Sequence, residues 1–128
     1  MEGTYASVPS HNVGQGGLAP SDGSVLMPRG GAGNESATPF ITMTVDCTLR
    51  GVVIYYPNVN PNAVPVPYPW TISMSGNNPA VVDVELLNSF NGISAVGAHR
   101  HYIARVLGQP VCCVRWRRTY GNDARAVQ

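Results

Sequence analysis

The apolar positions of this chain come in short runs that end at Gly, Asn or Pro. In the stretch 80–109 they predict strands over Val81–Leu87, around Ile93–Val96 and over Tyr102–Leu107, with a Gly-containing turn after Asn88. These runs are too short for helices and rich in Val and Ile, which favours strands. Similar runs upstream predict strands over Phe40–Val45, Leu49–Tyr56 and Trp70–Ser75.

The predicted strands fall into two interleaved series with a nearly constant repeat. One series is centred on Val52, Val84 and Val106, and the other is centred on Ile72, Ile93 and Val114. Both intervals of the second series are equal, and the last interval of the first series exceeds them by a single position. A period of this size, just above about 20 residues, is typical of a solenoid, in which one coil stacks on the next.

The interval from Val52 to Val84 is longer than the others in the two series. The excess coincides with residues 57–69, which read PNVNPNAVPVPYP. Each proline fixes φ and lacks an N–H group, so this segment cannot be a helix or a central strand. Three coils with one inserted loop account for both series.

The coils would occupy residues 39–117. A Gly/Pro/Ser-rich segment precedes them at 1–38, in which only Val25–Met27 has the pattern of a strand. Residues 118–128 follow as a C-terminal tail. The sequence therefore predicts an all-β domain with a long N-terminal lead.

Composition supports the all-β prediction and limits the kinds of binding partner that the chain could have. Charged residues make up 12% of the 128 residues, Lys is absent, and the formal net charge is +1. The charged share is about half the usual value of roughly 25%. The low net charge thus predicts no strongly charged partner, such as a nucleic acid, for the chain as a whole. Its apolar runs are too short for a membrane helix. Residues 1–20 lack the pattern of a signal peptide.

Three runs resemble a known family when taken together. They are GNESATPFITMTVDCTLRGVVIYYPN (33–58), PVPYPWTISMSGNNPAVVDVELLNSFNGI (65–93) and RHYIARVLGQPV (100–111). They resemble the N-terminal coils of pectate-lyase-like right-handed parallel β-helix proteins, including the glycoside-hydrolase-28-related subgroup. The resemblance covers about Gly31 to Val111. After Val111 the chain reads CCVRWRRTYGNDARAVQ and departs from the family pattern.

The resemblance implies a short, incomplete right-handed parallel β-helix of about three coils. It also implies an extracellular protein that binds or cleaves a polysaccharide, as a polysaccharide lyase or a glycoside hydrolase. No cofactor is implied, apart from Ca²⁺ if the protein is a lyase. The alternative is a non-catalytic structural or interaction module that self-associates through exposed coil ends and forms a homo-oligomer.

Three residues are candidates for catalysis. Asp83 and Glu85 are two apart on one predicted strand and would share a face. Such carboxylates can serve a glycosidase as acid and base or nucleophile, or hold Ca²⁺ in a lyase. The alternative, a polar outer face that keeps the strand soluble, is favoured. His101 is a candidate general acid or base, although a corner residue that caps a backbone group is the favoured interpretation.

Further residues are candidates for substrate binding. Arg100 has the planar guanidinium that pairs with a uronate carboxylate. Tyr68 and Trp70, with Tyr55 and Tyr56, offer aromatic rings for sugar stacking, although packing in the core or loop is the favoured interpretation. The pair of histidines around Arg100 lacks an obvious third ligand, so no metal site is predicted.

The remaining chemistry-bearing residues give weaker signals. Cys47, Cys112 and Cys113 lack zinc spacing and are best interpreted as small buried residues. The arginines at 115, 117 and 118 could contact phosphates, but a solvated strand face is favoured over nucleic-acid binding. The run Asn34–Ser36 matches the glycosylation pattern, which matters only in a secreted chain.

Overall fold

The structure is a computed structural model that describes residues 1–3, 24–60 and 63–108, and the backbone of 113–115. All regular secondary structure in these residues is β-strand, which confirms the all-β prediction for this part of the chain. The strands are β1 (Val25–Leu26), β2 (Ile41–Met43), β3 (Thr48–Tyr55), β4 (Trp70–Asn77), β5 (Ala80–Leu87), β6 (Asn91–His99), β7 (Tyr102–Gly108) and β8 (Cys113–Arg115).

Successive strands alternate between two four-stranded sheets. The first sheet has the order β1-β3-β5-β7 and the second has the order β2-β4-β6-β8. Every pairing within both sheets is parallel. Each pair of neighbours in one sheet is therefore connected through a strand of the other sheet.

The register confirms the repeat of the first series. Val52 pairs with Val84, and Val84 pairs with Val106, in the first sheet. In the second sheet, Ile72 pairs with Ile93 as predicted. Val114, the third predicted member of that series, lies in β8. The ladder between β6 and β8 has a register shift at this point, with Asn91 paired to Cys113 and Ser94 to Arg115. The proline-rich insertion accounts for the longer interval, because the described residues between positions 57 and 69 form no strand.

Two strands extend at least two residues beyond the predicted bounds at one end or both. β6 covers Asn91–His99, and β4 ends at Asn77 instead of Ser75. The reason is pairing: Gly76 and Asn77 of β4 form ladder positions with Ala98 and His99 of β6. A parallel neighbour thus overrides the local turn preference of these residues.

A left-handed residue recurs at the same level of three strands in the first sheet. The residues are Gly51 (φ 69°), Asp83 (φ 54°) and Arg105 (φ 49°). The ladder continues on either side of them, because Arg50 pairs with Val82, Val82 with Ala104, and Val52 with Val84. Each strand therefore bends at the same place, and the bends stack.

The bend shifts the alternation of the strand by one residue. The core residues that flank it are three apart, namely Leu49 and Val52, Val81 and Val84, and Ile103 and Val106. Two residues between each pair consequently face away from the core, instead of the single residue of regular alternation. This is why Arg50, Asp83 and Arg105 lie on the outer face.

A second set of left-handed residues lies five positions earlier, between the second sheet and the first. These are Asp46 (φ 55°), Asn78 (φ 58°) and Arg100 (φ 52°). The N–H of Asp46 donates to Asn77 O and that of Asn78 donates to His99 O, both at 2.9 Å. The Asn78 side chain also donates to Asp46 Oδ1 at 2.8 Å. The three corners thus stack in the same register as the bends.

The core lies between the two sheets. Its fully buried members include Ile54, Ile72, Val81, Val84 and Ala98, each 0% exposed. A separate small cluster joins Val53 and Leu87 with Val25 and Tyr55. The main core therefore continues through all the stacked strand pairs from β1 and β2 to β7.

A buried polar network holds the base of the proline-rich insertion. The Thr71 hydroxyl donates to Asn91 O at 2.7 Å, so the Tyr56 hydroxyl, 3.0 Å away, donates to Thr71. Asn91 Nδ2 donates to Tyr68 O at 3.1 Å, and the Tyr68 ring packs edge-on against Tyr56 at 5.1 Å. Burial raises the pKa of Tyr56, which keeps this donor protonated.

The first end of the stack is covered by chain segments. Residues 1–3 run beside β3, where Arg50 N donates to Met1 O at 2.9 Å and Gly3 N donates to Arg50 O at 2.8 Å. Further along β3, β1 continues this cover by pairing with Val53 and Ile54. At the other end, the inner residues Ile103 and Val106 are only half-buried.

We expect Val84→Ala to lower the free energy of unfolding by about 2 kcal/mol, because it removes two fully buried methyl groups at the centre of the repeat. Val64→Ala is the matched control, since Val64 is 88% exposed, and it should change stability by less than about 0.5 kcal/mol. Urea unfolding measures both. Equal effects of the two substitutions would contradict the stacked register.

Candidate functional site

The outer face of the first sheet carries a cluster of three charged residues from three adjacent strands. Asp83 of β5 accepts hydrogen bonds from Arg105 Nε and, at 2.9 Å, from Arg105 Nη2 of β7. Arg50 Nε of β3 lies 3.4 Å from Asp83 Oδ2 on the other side. We call Arg50, Asp83 and Arg105 the arginine clamp.

The bends explain how the clamp forms. Asp83 and Arg105 occupy the same bend in neighbouring strands, so their side chains leave the sheet side by side. Arg50 immediately precedes the bend of β3 and also faces outward. The side chains of Arg50 and Arg105 remain 54% and 62% exposed, whereas the Asp83 side chain is 21% exposed. The carboxylate is therefore covered largely by the arginines that bind it.

The clamp changes the proton affinity of Asp83. The hydrogen bonds from Arg105, followed by the charges of both arginines, hold the pKa of Asp83 below its ordinary value of 3.8. Asp83 raises the pKa of Arg105 in return. Asp83 is therefore ionised near neutral pH and unsuited to the role of a general acid.

Glu85 lies in a different environment from Asp83. It is 2% exposed and pairs in register with Val53 and Leu107. Asp83 and Glu85 flank the inward Val84 and so share the outer side of β5, but Asp83 is bound by arginines at the surface and Glu85 is buried. They do not form two equivalent carboxylates on an open groove.

His101 lies at a distance from both carboxylates. Tyr102 pairs with Ala80, so His101 is level with Pro79, while Asp83 is level with Arg105. Four residues of strand correspond to about 13 Å, and Glu85 is farther still. Hydrogen bonding requires roughly 3 Å, so the structure does not bring the three catalytic candidates together. The buried His101 Nδ1 has no hydrogen-bond partner among the described residues.

Arg100 and Tyr102 lie on the exposed side of the chain near the start of β7. Arg100 is exposed, and Tyr102 is 57% exposed. Small side chains surround Tyr102 on the outer face: Ala80 is its ladder partner, and Ala104 is two residues along β7. The ring of Tyr102 therefore stands above its neighbours. We call Arg100, Tyr102 and Arg105 the β7 surface.

The other aromatic candidates are mostly packing residues. Tyr68 is 2% exposed and Tyr56 is 1% exposed, and both belong to the core, which agrees with the favoured interpretation. Tyr55 and Trp70 are half-buried. Of the two substrate-binding candidates Tyr68 and Trp70, only Trp70 keeps part of its side chain at the surface.

The remaining sequence signals are placed as follows. Cys47 is half-buried and free, with Sγ 3.5 Å from Val45 O, and the side chains of the other two cysteines lie outside the described residues. The side chains of the arginines at 115, 117 and 118 also lie outside them. Asn34 is exposed and accepts a hydrogen bond from Ser36 N at 3.1 Å. Within the described residues, no group of His, Cys, Asp and Glu could hold a metal ion.

Sequence reasoning missed Arg50, Arg105 and Tyr102. One signal for Arg105 was present, because Arg105 follows Asp83 at the same interval at which Val106 follows Val84. Opposite charges at one repeat interval predict neighbours across a ladder. Tyr102 gave no such signal, since its exposure depends on the small residues around it.

No protein-family model matches this chain, and neither a curated protein nor a solved structure matches it. The resemblance to pectate-lyase-like proteins therefore remains a prediction. Within the part of the chain that the structure describes, no helix has the length and apolar character needed to cross a membrane.

The clamp should make stability depend on pH in the acid range. Because the folded pKa of Asp83 is depressed, its contribution is present above pH 3.8 and is lost as pH falls through the lower folded value. We expect Asp83→Asn to be less stable than the wild type at pH 6, with a difference that shrinks below about pH 4. Urea unfolding across this range measures it. A difference that stays constant with pH would contradict the clamp.

Proposed function

We propose that the stacked strands form a short right-handed parallel β-helix of about three coils. Its support is the alternation of parallel strands between the two sheets, since every neighbour in a sheet is reached through the other sheet. Crossovers between parallel strands of one sheet are right-handed in about 98% of cases. The interval between ladder partners of β5 and β7, which is the same at every pair, and the stacked corners fit one coil for each pair of strands.

We further propose that the protein binds an acidic polysaccharide on the β7 surface. The observation that carries this proposal is the exposed Tyr102 ring, which stands above small neighbours between two exposed arginines. The apolar face of a sugar ring packs on an aromatic ring, whose hydroxyl end stays in water. Guanidinium groups pair with the carboxylates of uronic acids through planar, bidentate hydrogen bonds.

The spacing of the β7 surface fits an extended polymer better than a single sugar. Arg100 and Arg105 are separated by five residues of a bent strand, which spans at most about 16 Å. Tyr102 lies between them and provides the central contact. A chain of several uronate units can reach both guanidiniums while one ring packs on Tyr102.

Binding is better supported than cleavage. Asp83 is held by two arginines, Glu85 is buried, and His101 lies about 13 Å from Asp83 along the strand direction. A hydrolase needs two carboxylates that both reach the scissile bond. The described residues supply no such pair, so the proposal assigns no catalytic step and no Ca²⁺ to them.

We expect Tyr102→Ala to weaken binding of polygalacturonate oligomers by about tenfold, which corresponds to about 1.4 kcal/mol. Tyr102→Phe is the matched control, because it keeps the ring, and it should change the Kd by less than about threefold. Isothermal titration measures both variants at low salt. The proposal fails if the wild type binds neither pectin nor polygalacturonate, or if the two variants bind equally.

A second candidate function is self-association through the β7 end of the stack. Its specific support is burial: Ile103 and Val106 are half-buried, whereas Val81 and Val84 at the same positions one strand earlier are 0% exposed. Within the described residues, β7 pairs only with β5. An unpaired edge of this kind can pair with another chain, although charged residues on it oppose such contact.

Self-association predicts a concentration-dependent molecular mass. Light scattering after size exclusion should show a dimer or larger species for the wild type, and Val106→Arg should shift it to monomer, because a charge would enter the contact. Val64→Arg, at an exposed position outside this end, is the control. A wild-type monomer at high protein concentration would argue against this candidate.

A further inference from the structure

The arginine clamp holds two guanidiniums against one carboxylate. β3 and β7 are the two neighbours of β5, so their backbones are about 9.6 Å apart, at twice the spacing of adjacent strands. The side chains of Arg50 and Arg105 close this gap over Asp83, with contacts of 3.4 Å and 2.9 Å. The carboxylate thus fixes the position of both guanidiniums at one point of the outer face.

Most of the hydrogen-bonding capacity of these arginines is left over. Asp83 accepts from Nε and Nη2 of Arg105 and is contacted by Arg50 through Nε. Among the residues that the structure describes, no hydrogen bond or ion pair uses the Nη1 group of either arginine, and both side chains are more than half exposed. Two cationic groups with further N–H donors therefore lie side by side, and one anionic group offsets only one of them.

We propose that the arginine clamp binds an anionic group with three terminal oxygens, specifically a sulfate ester carried by the polysaccharide. A carboxylate has two oxygens that lie in one plane, and Asp83 already presents such a group to both guanidiniums. A tetrahedral ester group presents three oxygens in different directions and can accept from two forks at once. The positions of Arg50 and Arg105 on opposite sides of Asp83 suit the second geometry.

This inference takes one element from the proposed function, namely the polysaccharide that carries the sulfate ester. The clamp and the Tyr102 ring belong to the same outer face, because Tyr102 and Ala104 alternate with the inward Ile103 of β7. Arg105 is common to the β7 surface and the clamp. A sulfated polymer that packs on Tyr102 therefore passes the clamp within a few residues of strand.

Negatively charged residues around the clamp affect how tightly it binds an anion. Asp83 carries the negative charge inside it, and Glu2 lies at the position beside Arg50 through a backbone bridge. Residues that directly oppose each other in neighbouring strands lie on one face of the sheet. The bridge therefore puts a negatively charged residue beside Arg50, and Glu2→Gln should tighten the binding of an anionic ligand.

The test compares polymers that differ in their charged group. Dextran sulfate, neutral dextran and polygalacturonate are titrated into the full chain at fixed salt. We expect dextran sulfate to bind at least about tenfold more tightly than polygalacturonate. Arg50→Gln and Arg105→Gln should each weaken dextran sulfate binding by about tenfold, and Glu2→Gln should strengthen it by about twofold.

Two controls separate recognition from net charge and from misfolding. Arg29→Gln removes the same charge from an exposed residue outside the clamp and should change binding by less than about twofold. Arg50→Lys keeps the charge and loses the planar fork, so it should weaken dextran sulfate binding while leaving the unfolding transition unchanged. Equal losses for Arg29→Gln and Arg50→Gln would overturn the proposal, as would undiminished binding by Arg50→Lys.

The outcomes also separate this inference from the proposed function and from a phosphate source. If polygalacturonate binds through Tyr102 and the clamp variants have no effect, the proposed function stands and this inference falls. If dextran sulfate binds through the clamp while Tyr102→Ala has no effect, the clamp stands without the proposed function. Inorganic phosphate that displaces dextran sulfate better than inorganic sulfate does would overturn the assignment to a sulfate ester.

Discussion

The stacked bend at Gly51, Asp83 and Arg105 is the constraint on which the outer face depends. Each bend inserts one left-handed residue into a strand, and each one preserves the parallel ladder on both sides. If one strand lacked the bend, its inward and outward side chains would exchange places beyond that point. The register therefore has to hold in all three strands at once, which couples the core to the surface.

This coupling explains why the ion pair on the outer face lies directly beside packed valines in the core. Val84 and Val106 enter the core immediately after the bend, while Asp83 and Arg105 leave the opposite face at the bend itself. The contact between the charged side chains needs the same strand alignment as the contact between the valines. An exposed ion pair adds little stability by itself, so the valines fix the register and the ion pair follows from it.

The sequence predicted the repeat better than it predicted the surface. The nearly constant interval between the Val and Ile positions reflects burial between sheets, which is visible in any apolar pattern. The bends were not predictable in the same way, because left-handed backbone at Asp83 and Arg105 is imposed by their neighbours in the sheet. Gly51 has a residue type that favours this backbone and Asp83 has one that tolerates it, whereas Arg105 has neither. The two carboxylates of β5 also appeared equivalent in the sequence, whereas the structure leaves Asp83 partly exposed and buries Glu85.

The proline-rich insertion shows the same contrast: its local conformation was predictable from the sequence, and its tertiary contacts were not. Prolines at 57, 61, 65, 67 and 69 were sufficient to exclude a strand. They gave no sign that Tyr68 would turn into the core, where Tyr56, Thr71 and Asn91 form a buried chain of hydrogen bonds. These partners come from different parts of the stack, and their meeting depends on the parallel register.

The left-handed backbone of Arg100 and Arg105 shows what the stacked register costs. Arg100 and Arg105 both have positive φ, at 52° and 49°, and this backbone costs a residue with a side chain about 1–2 kcal/mol. Gly would adopt it without this cost, as Gly51 does at the equivalent bend. One exposed ion pair does not offset the difference, and Arg100 has no ion pair among the described residues. Asn78 at the equivalent corner and Asp83 at the equivalent bend have the same backbone, so the cost belongs to the stacked position and not to the arginine side chain.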